Sequence, residues 1–218
     1  MAGRSVQRAR DDVRHWLPSQ GVDPAPLAEL NAECLGLLAT RAAEGAADPG
    51  TPRLLVELRH EWAELSAQAV RRLAAAPFSL FDVGLCQAPR WLEARPHEVH
   101  DQPNWIALPF FEPSAARSIS RRMLVYGWHL ARSRPRAACL VFGAPLAAVE
   151  SLAACSLASL EVMAERDSHA LRPRWPAQVS FWRELLGAAS AAADRRLHEL
   201  LLGGVQRLAA ETLAAHPP

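Results

Sequence analysis

The sequence predicts an all-α protein, and three observations predict it. Alanine and leucine dominate the apolar residues, and both lose little side-chain freedom in a helix. Glycine is scarce, at 11 of 218 residues. Apolar residues recur at spacings of three and four through most of the chain, which is the period of a helix with one buried face. Half of the residues are hydrophobic and 22% are charged. That balance supplies a core and differs from the apolar-poor composition of disordered chains.

Residues 4–17 read as a first amphipathic helix, with Val6, Ala9, Val13 and Trp16 on one face; Pro18 and Gly21 stop it. A second helix is expected from Leu27 to Ala43, followed by a loop from Gly45 to Pro52. Leu54 to Leu65 forms a third. Ser66 is placed as the N-cap of a fourth helix through Ala75, closed by Pro77. Phe78 to Leu85 is too short for its period to separate strand from 3₁₀ turn. Pro96, Pro103, Pro109 and Pro113 mark a connector, and Trp105, Ile106, Phe110 and Phe111 make it apolar enough to pack on the body. Helices are then expected over Ser114–Ser133 and Ala137–Phe142, with a turn at Gly143. Another, led by Pro145, ends near Ala154, and Ser156 caps the next through Arg166. Trp182–Ala193 and Asp194–Ala215 complete the chain.

All 24 basic residues are arginine, the usage of a GC-rich bacterial genome, and the net charge is only +1. A near-neutral chain is a poor autonomous DNA binder. Cys34, Cys86, Cys139 and Cys155 include no close pair of the zinc-knuckle or redox type. The arginine-rich start is unlike a secretory leader, and no apolar run has the length of a membrane span. The expected location is the cytoplasm, without membrane attachment.

Shifting the sequence by 90 residues aligns residues 62–91 with the second half without a gap. Ser66 then falls on Ser156, Trp62 on Leu152, Val70 on Leu160 and Leu73 on Met163. Further along, Phe81 falls on Leu171 and Trp91 on Phe181. The shared order of helix, cap, helix and apolar strip reads as an internal duplication.

Within the second unit, Tyr126–Ala131, Phe142-Gly143, Leu152–Ser156, Met163-Ala164-Glu165 and Arg174-Trp175 follow one another. This succession resembles the FlhD subunit of the flagellar transcriptional master regulator. Leu30–Leu38, Leu65-Ser66 and Leu73-Ala74 form a thinner version in the first unit. The resemblance implies a tandem duplication of a small FlhD-like helical unit, forming an intramolecular pseudo-dimer. It also implies a role in transcription beside a second subunit, FlhC, which carries zinc and much of the DNA contact. The family's inter-subunit cysteine corresponds to Leu171, or to Phe81 in the first unit, so its disulfide does not carry over. The expected segments are an N-terminal helix and lead-in (1–26), a first repeat (27–92), a packed connector (93–116), a second repeat (117–187) and a C-terminal helix (188–218).

No catalytic, cofactor-binding or metal-ligating residue is assigned. His97, His100 and Asp101 are spaced for chelation but lie in a proline-bounded loop. No serine sits in a nucleophile elbow, and no glycine-rich phosphate loop occurs. The densest basic region is Arg117, Arg121 and Arg122 with Arg132, Arg134 and Arg136. Arg117, Arg121, Arg122, Arg132 and Arg174 are therefore the candidate contacts for DNA or a protein partner. The expected protein is a non-enzymatic regulator or adaptor, monomeric or homodimeric, with an FlhC-like or other regulatory partner and weak DNA binding of its own. A secretion-associated chaperone or scaffold is the first rival. An enzyme whose site is assembled from distant residues is the second.

Overall fold

Seven residues of the first described helix, α1 (Ala25–Glu44), point inward: Leu27, Leu30, Asn31, Cys34, Leu35, Leu38 and Ala42. The computed structural model describes residues 23–44, 50–86 and 108–214. The helix expected over 4–17 and the His97, His100 and Asp101 run lie outside the described residues.

The helix expected over Leu54–Leu65 is two single turns, α2 (Arg53–Glu57) and α3 (Arg59–Ala63), because Leu58 leaves helical geometry between them. α4 (Ala67–Ala74) begins where the sequence places it, with Ser66 Oγ accepting from Ala69 N–H at 3.1 Å. The second half opens with α5 (Pro113–Ser133) and α6 (Pro135–Phe142), each carrying proline in its first turn, where the missing N–H costs nothing. Gly143, at φ 55°, ends α6 in the left-handed conformation, and a Cβ there would lie 2.5 Å from Leu208. α7 (Leu146–Ala154) and α8 (Leu157–Asp167) follow, and Ser156 Oγ accepts from Ser159 N–H at 3.1 Å. A 3₁₀ turn (Ser168–Ala170), α9 (Val179–Ser190) and α10 (Asp194–Ala214) complete the chain. The expected boundary at 187/188 thus falls inside α9.

Within the apolar strip only Phe81–Asp82 is strand, with bends on either side. β1 (Phe81–Asp82) pairs antiparallel with β2 (Arg172–Pro173), with Phe81 opposite Pro173 and Asp82 opposite Arg172. Asn31 fixes this strip to α1: its amide donates to the Phe78 carbonyl at 3.1 Å and accepts from Leu80 N–H at 3.0 Å. Such pairing is what makes a buried amide tolerable.

α1 packs on α3, α4 and α5, while α5 packs on α6, α7 and α8. α9 crosses to α3 and α4, and α10 lies along α9 and α6. One continuous core results. A pseudo-dimer that covers its own faces would bury Leu152, Leu160 and Met163 against Trp62, Val70 and Leu73, or against helices close to them; Leu152 and Leu160 are indeed buried. Yet α8 packs on α5, Met163 is only half-buried, and Trp62 meets Trp182 of α9 with ring centroids 5.5 Å apart. The described end of the connector packs as expected. Phe110 and Phe111 are buried, and Phe111 meets Phe81 edge-on at 5.9 Å.

Several local geometries recur. The buried positions of α1 reappear 89 residues later on α5 as Ala116, Ile119, Ser120, Met123, Leu124, Gly127 and Ala131. The two serine caps are 90 residues apart. Gly84 (φ 86°) and Trp175 (φ 50°) are left-handed, stand 91 residues apart, and each lies two residues past its strand. The gapless 90-residue register therefore fits at the caps and becomes 91 at the strand turns.

Candidate functional site

The arginines of α5 face α8 across an open groove of about 960 Å³, floored by Val125, Tyr126 and Ala164. Arg117 and Arg121 are one turn apart on α5, and Glu161 and Glu165 are one turn apart on α8. The helices run antiparallel, so Arg117 pairs with Glu165 at 2.5 Å and Arg121 with Glu161 at 2.6 Å. Arg122 pairs with Glu33 of α1, and the hydrogen bond it donates to the Glu33 carboxylate holds its guanidinium above the ordinary arginine range. Arg132 turns away and lies 4.6 Å over the Trp128 ring. Within the densest basic region, Arg117, Arg121 and Arg122 are thus each matched by a carboxylate.

Sequence reasoning found those arginines and missed Glu33, Glu161 and Glu165. The one available signal was the i,i+4 spacing of both the arginine pair and the glutamate pair, which lets antiparallel helices match them rung by rung. Paired charges at an exposed rim contribute about 0–1 kcal/mol each, so they orient the helices more than they hold them.

Arg174 is not a surface contact. It is 5% exposed, and its guanidinium donates to the Ser79 carbonyl at 2.7 Å and to the Phe142 carbonyl. Its own carbonyl accepts from Trp182 Nε1–H at 2.8 Å. A planar guanidinium can serve separate carbonyls at once, so Arg174 ties the strand region to the end of α6. Cys86 lies beside it, with Sγ 3.6 Å from Nη1. Burial first, and the nearby Asp82 charge second, push the Cys86 thiol up to about 12. Cys34 is pushed higher still, chiefly by burial. Thiols so shifted hold their protons and are poor nucleophiles.

All four cysteines are unpaired. Among the described residues, no group of three or more His, Cys, Asp or Glu side chains is arranged to hold a metal ion. No single helix among them is long and apolar enough to cross a membrane. Trp182 is fully buried core, while Trp175 is half-buried and donates to Glu211 at 2.8 Å. Compared with protein families, curated proteins and solved structures, the chain matches none.

Proposed function

We propose that this chain is a regulatory adaptor built as an intramolecular pseudo-dimer, in the manner of the FlhD subunit, and that it acts through protein contacts in the cytoplasm. The observation that carries the reading is the Glu33–Arg122 ion pair. In a two-fold interface, residues nearest the axis meet their own copies. Glu33 and Arg122 are such counterparts, because the 89-residue spacing that relates the buried faces of α1 and α5 relates these two residues as well. The strand pair supports the same axis. At the 91-residue spacing of its turns, the Phe81–Pro173 pairing maps onto Arg172–Asp82.

The α5–α8 groove favours a protein partner over nucleic acid, because its arginines already have carboxylate partners and offer little net charge to phosphate. The partner class is a second regulatory subunit of the FlhC kind, and direct DNA contact is secondary. Four unpaired thiols suit a reducing compartment. Tagged full-length protein, crosslinked in its own cells, should recover one stoichiometric protein partner, and loss of the gene should change a defined set of transcripts. Recovery of no such partner, together with unchanged transcripts, would reject the adaptor.

A further inference from the structure

The chain enters α1 at one end of the α5–α8 groove. Ala25 N–H donates to Asp23 Oδ1 at 3.0 Å, which fixes Asp23 at the start of α1. Burial first and the Asp23 charge second push the phenol of Tyr126, on the groove floor, above its ordinary range. Further along α1, Glu33 pairs with Arg122, one turn earlier on α5. α1 therefore runs against α5 and begins at the Tyr126–His129 end of the groove. The two walls of the groove differ in charge. Arg117 and Arg121 of α5 bond Glu165 and Glu161 of α8 through one oxygen of each carboxylate, so a further cation can share each acid. The same pairs fix the hand. Arg117 and Arg121 reach α8, while Arg122, on the other flank of α5, reaches α1. Viewed along α5 from its N-terminus with the groove uppermost, a right-handed helix so decorated has α8 on its left and α1 on its right.

We propose that this groove is the docking site of the chain's own residues 4–17, seated as a helix parallel to α5. Those residues lie outside the described ones, and their sequence matches the groove in three ways. As a helix they span about 20 Å, against about 18 Å between Arg117 and His129 along the groove. Val6, Ala9, Val13 and Trp16 form one apolar stripe for the floor of Val125, Tyr126 and Ala164. With that stripe facing down and the same direction of view, Arg10 and Arg14 fall on the left flank and Asp12 on the right. The arginines, four residues apart, then meet Glu165 and Glu161 of α8 at the same spacing, and Asp12 turns to the arginines of α5. Laid the other way, like charges would meet. The parallel direction is also the one the connection demands. Residues between Leu17 and Asp23 reach about 20 Å at most, enough to cross one helix spacing of about 8–10 Å but not to return from the far end of the groove. The docking needs neither the pseudo-dimer nor the adaptor. On the adaptor reading, a partner enters the groove only by displacing residues 4–17, and that clause alone rests on that reading.

Photocrosslinking within the full chain tests the seat and its direction. With p-benzoylphenylalanine in place of Trp16, adducts should fall on residues 125–129; in place of Ala9, they should fall near Arg117 and Glu165. Adducts elsewhere, or in the reverse order, would overturn the proposal. So would adducts that join isotopically labelled to unlabelled chains, since the occupant would then be a second copy. Amide exchange gives an independent reading. Arg10→Glu with Arg14→Glu should speed exchange over residues 117–129 by about threefold or more. Arg4→Glu with Arg8→Glu, the same change of charge away from the α8 flank, should not, and equal effects of the two pairs would count against the seat. If the adducts fall as described while Arg10→Glu with Arg14→Glu recovers no more crosslinked partner than wild type, the docking stands and the adaptor's use of the groove fails.

Discussion

Arg122 on α5 pairs with Glu33 on α1, and each holds the same place in a buried-face pattern that recurs after 89 residues. Glu33→Arg and Arg122→Glu should each lower stability by up to about 1 kcal/mol, the range for half-exposed pairs. The double exchange should recover most of the loss, as expected for residues that touch. Denaturant unfolding of the four proteins checks this. Strictly additive losses would mean that the two side chains do not meet.

Arg174→Met should be far more costly. It removes the donors to the Ser79 and Phe142 carbonyls while keeping an apolar stem. Leaving buried carbonyls unpaired should cost about 2–5 kcal/mol in all. Arg174→Lys should recover only part, because one ammonium cannot reproduce a planar fork. Chemical denaturation measures both.

Stability should fall at alkaline pH. In the unfolded chain the Cys86 thiol ionises near its ordinary value of 9.0, while in the fold it keeps its proton up to about 12. Between those values the folded state binds the extra proton, so raising the pH favours unfolding. The stabilisation is complete below pH 9 and is lost above it. Melting temperature against pH from 8 to 10.5 should slope downward in wild type, and less steeply in Cys86→Ala.

Binding to random duplex DNA should be weak and should vanish by about 150 mM salt, because a chain of net charge +1 can neutralise few phosphates. Arg121→Glu with Arg122→Glu should remove what binding exists. Tight binding that survives both salt and the double change would place a DNA surface away from α5.

Residues 1–100 alone should aggregate or fail to melt cooperatively. That fragment keeps Trp62 but loses Trp182, its ring neighbour at 5.5 Å, and it keeps β1 but loses β2. A stable monomer with a sharp melting transition would show that the first half folds independently. Met163→Ala, by contrast, should cost less than the 2–5 kcal/mol typical of an enclosed methionine, because Met163 is half-buried.

The sequence by itself determined most of the helices and several of their ends, but not the break at Leu58 or the span of α9. Local physics sufficed for Ser66 and Ser156, whose hydroxyls cap the helix that follows, and for the turn at Gly143. Of the apolar residues whose spacing predicts the inward face of α1, Leu27, Leu30, Cys34 and Leu38 are buried, while Leu37 is exposed. Tertiary structure decided how those faces meet. Periodicity says that Trp62 is buried, and only packing says that it is buried by Trp182. An arginine-rich helix reads as positive until Glu33, Glu161 and Glu165 arrive from other helices. Arg174 looked like a surface residue because an isolated arginine is costly to bury. Carbonyls from two distant segments meet that cost, and no local sequence signal announces them.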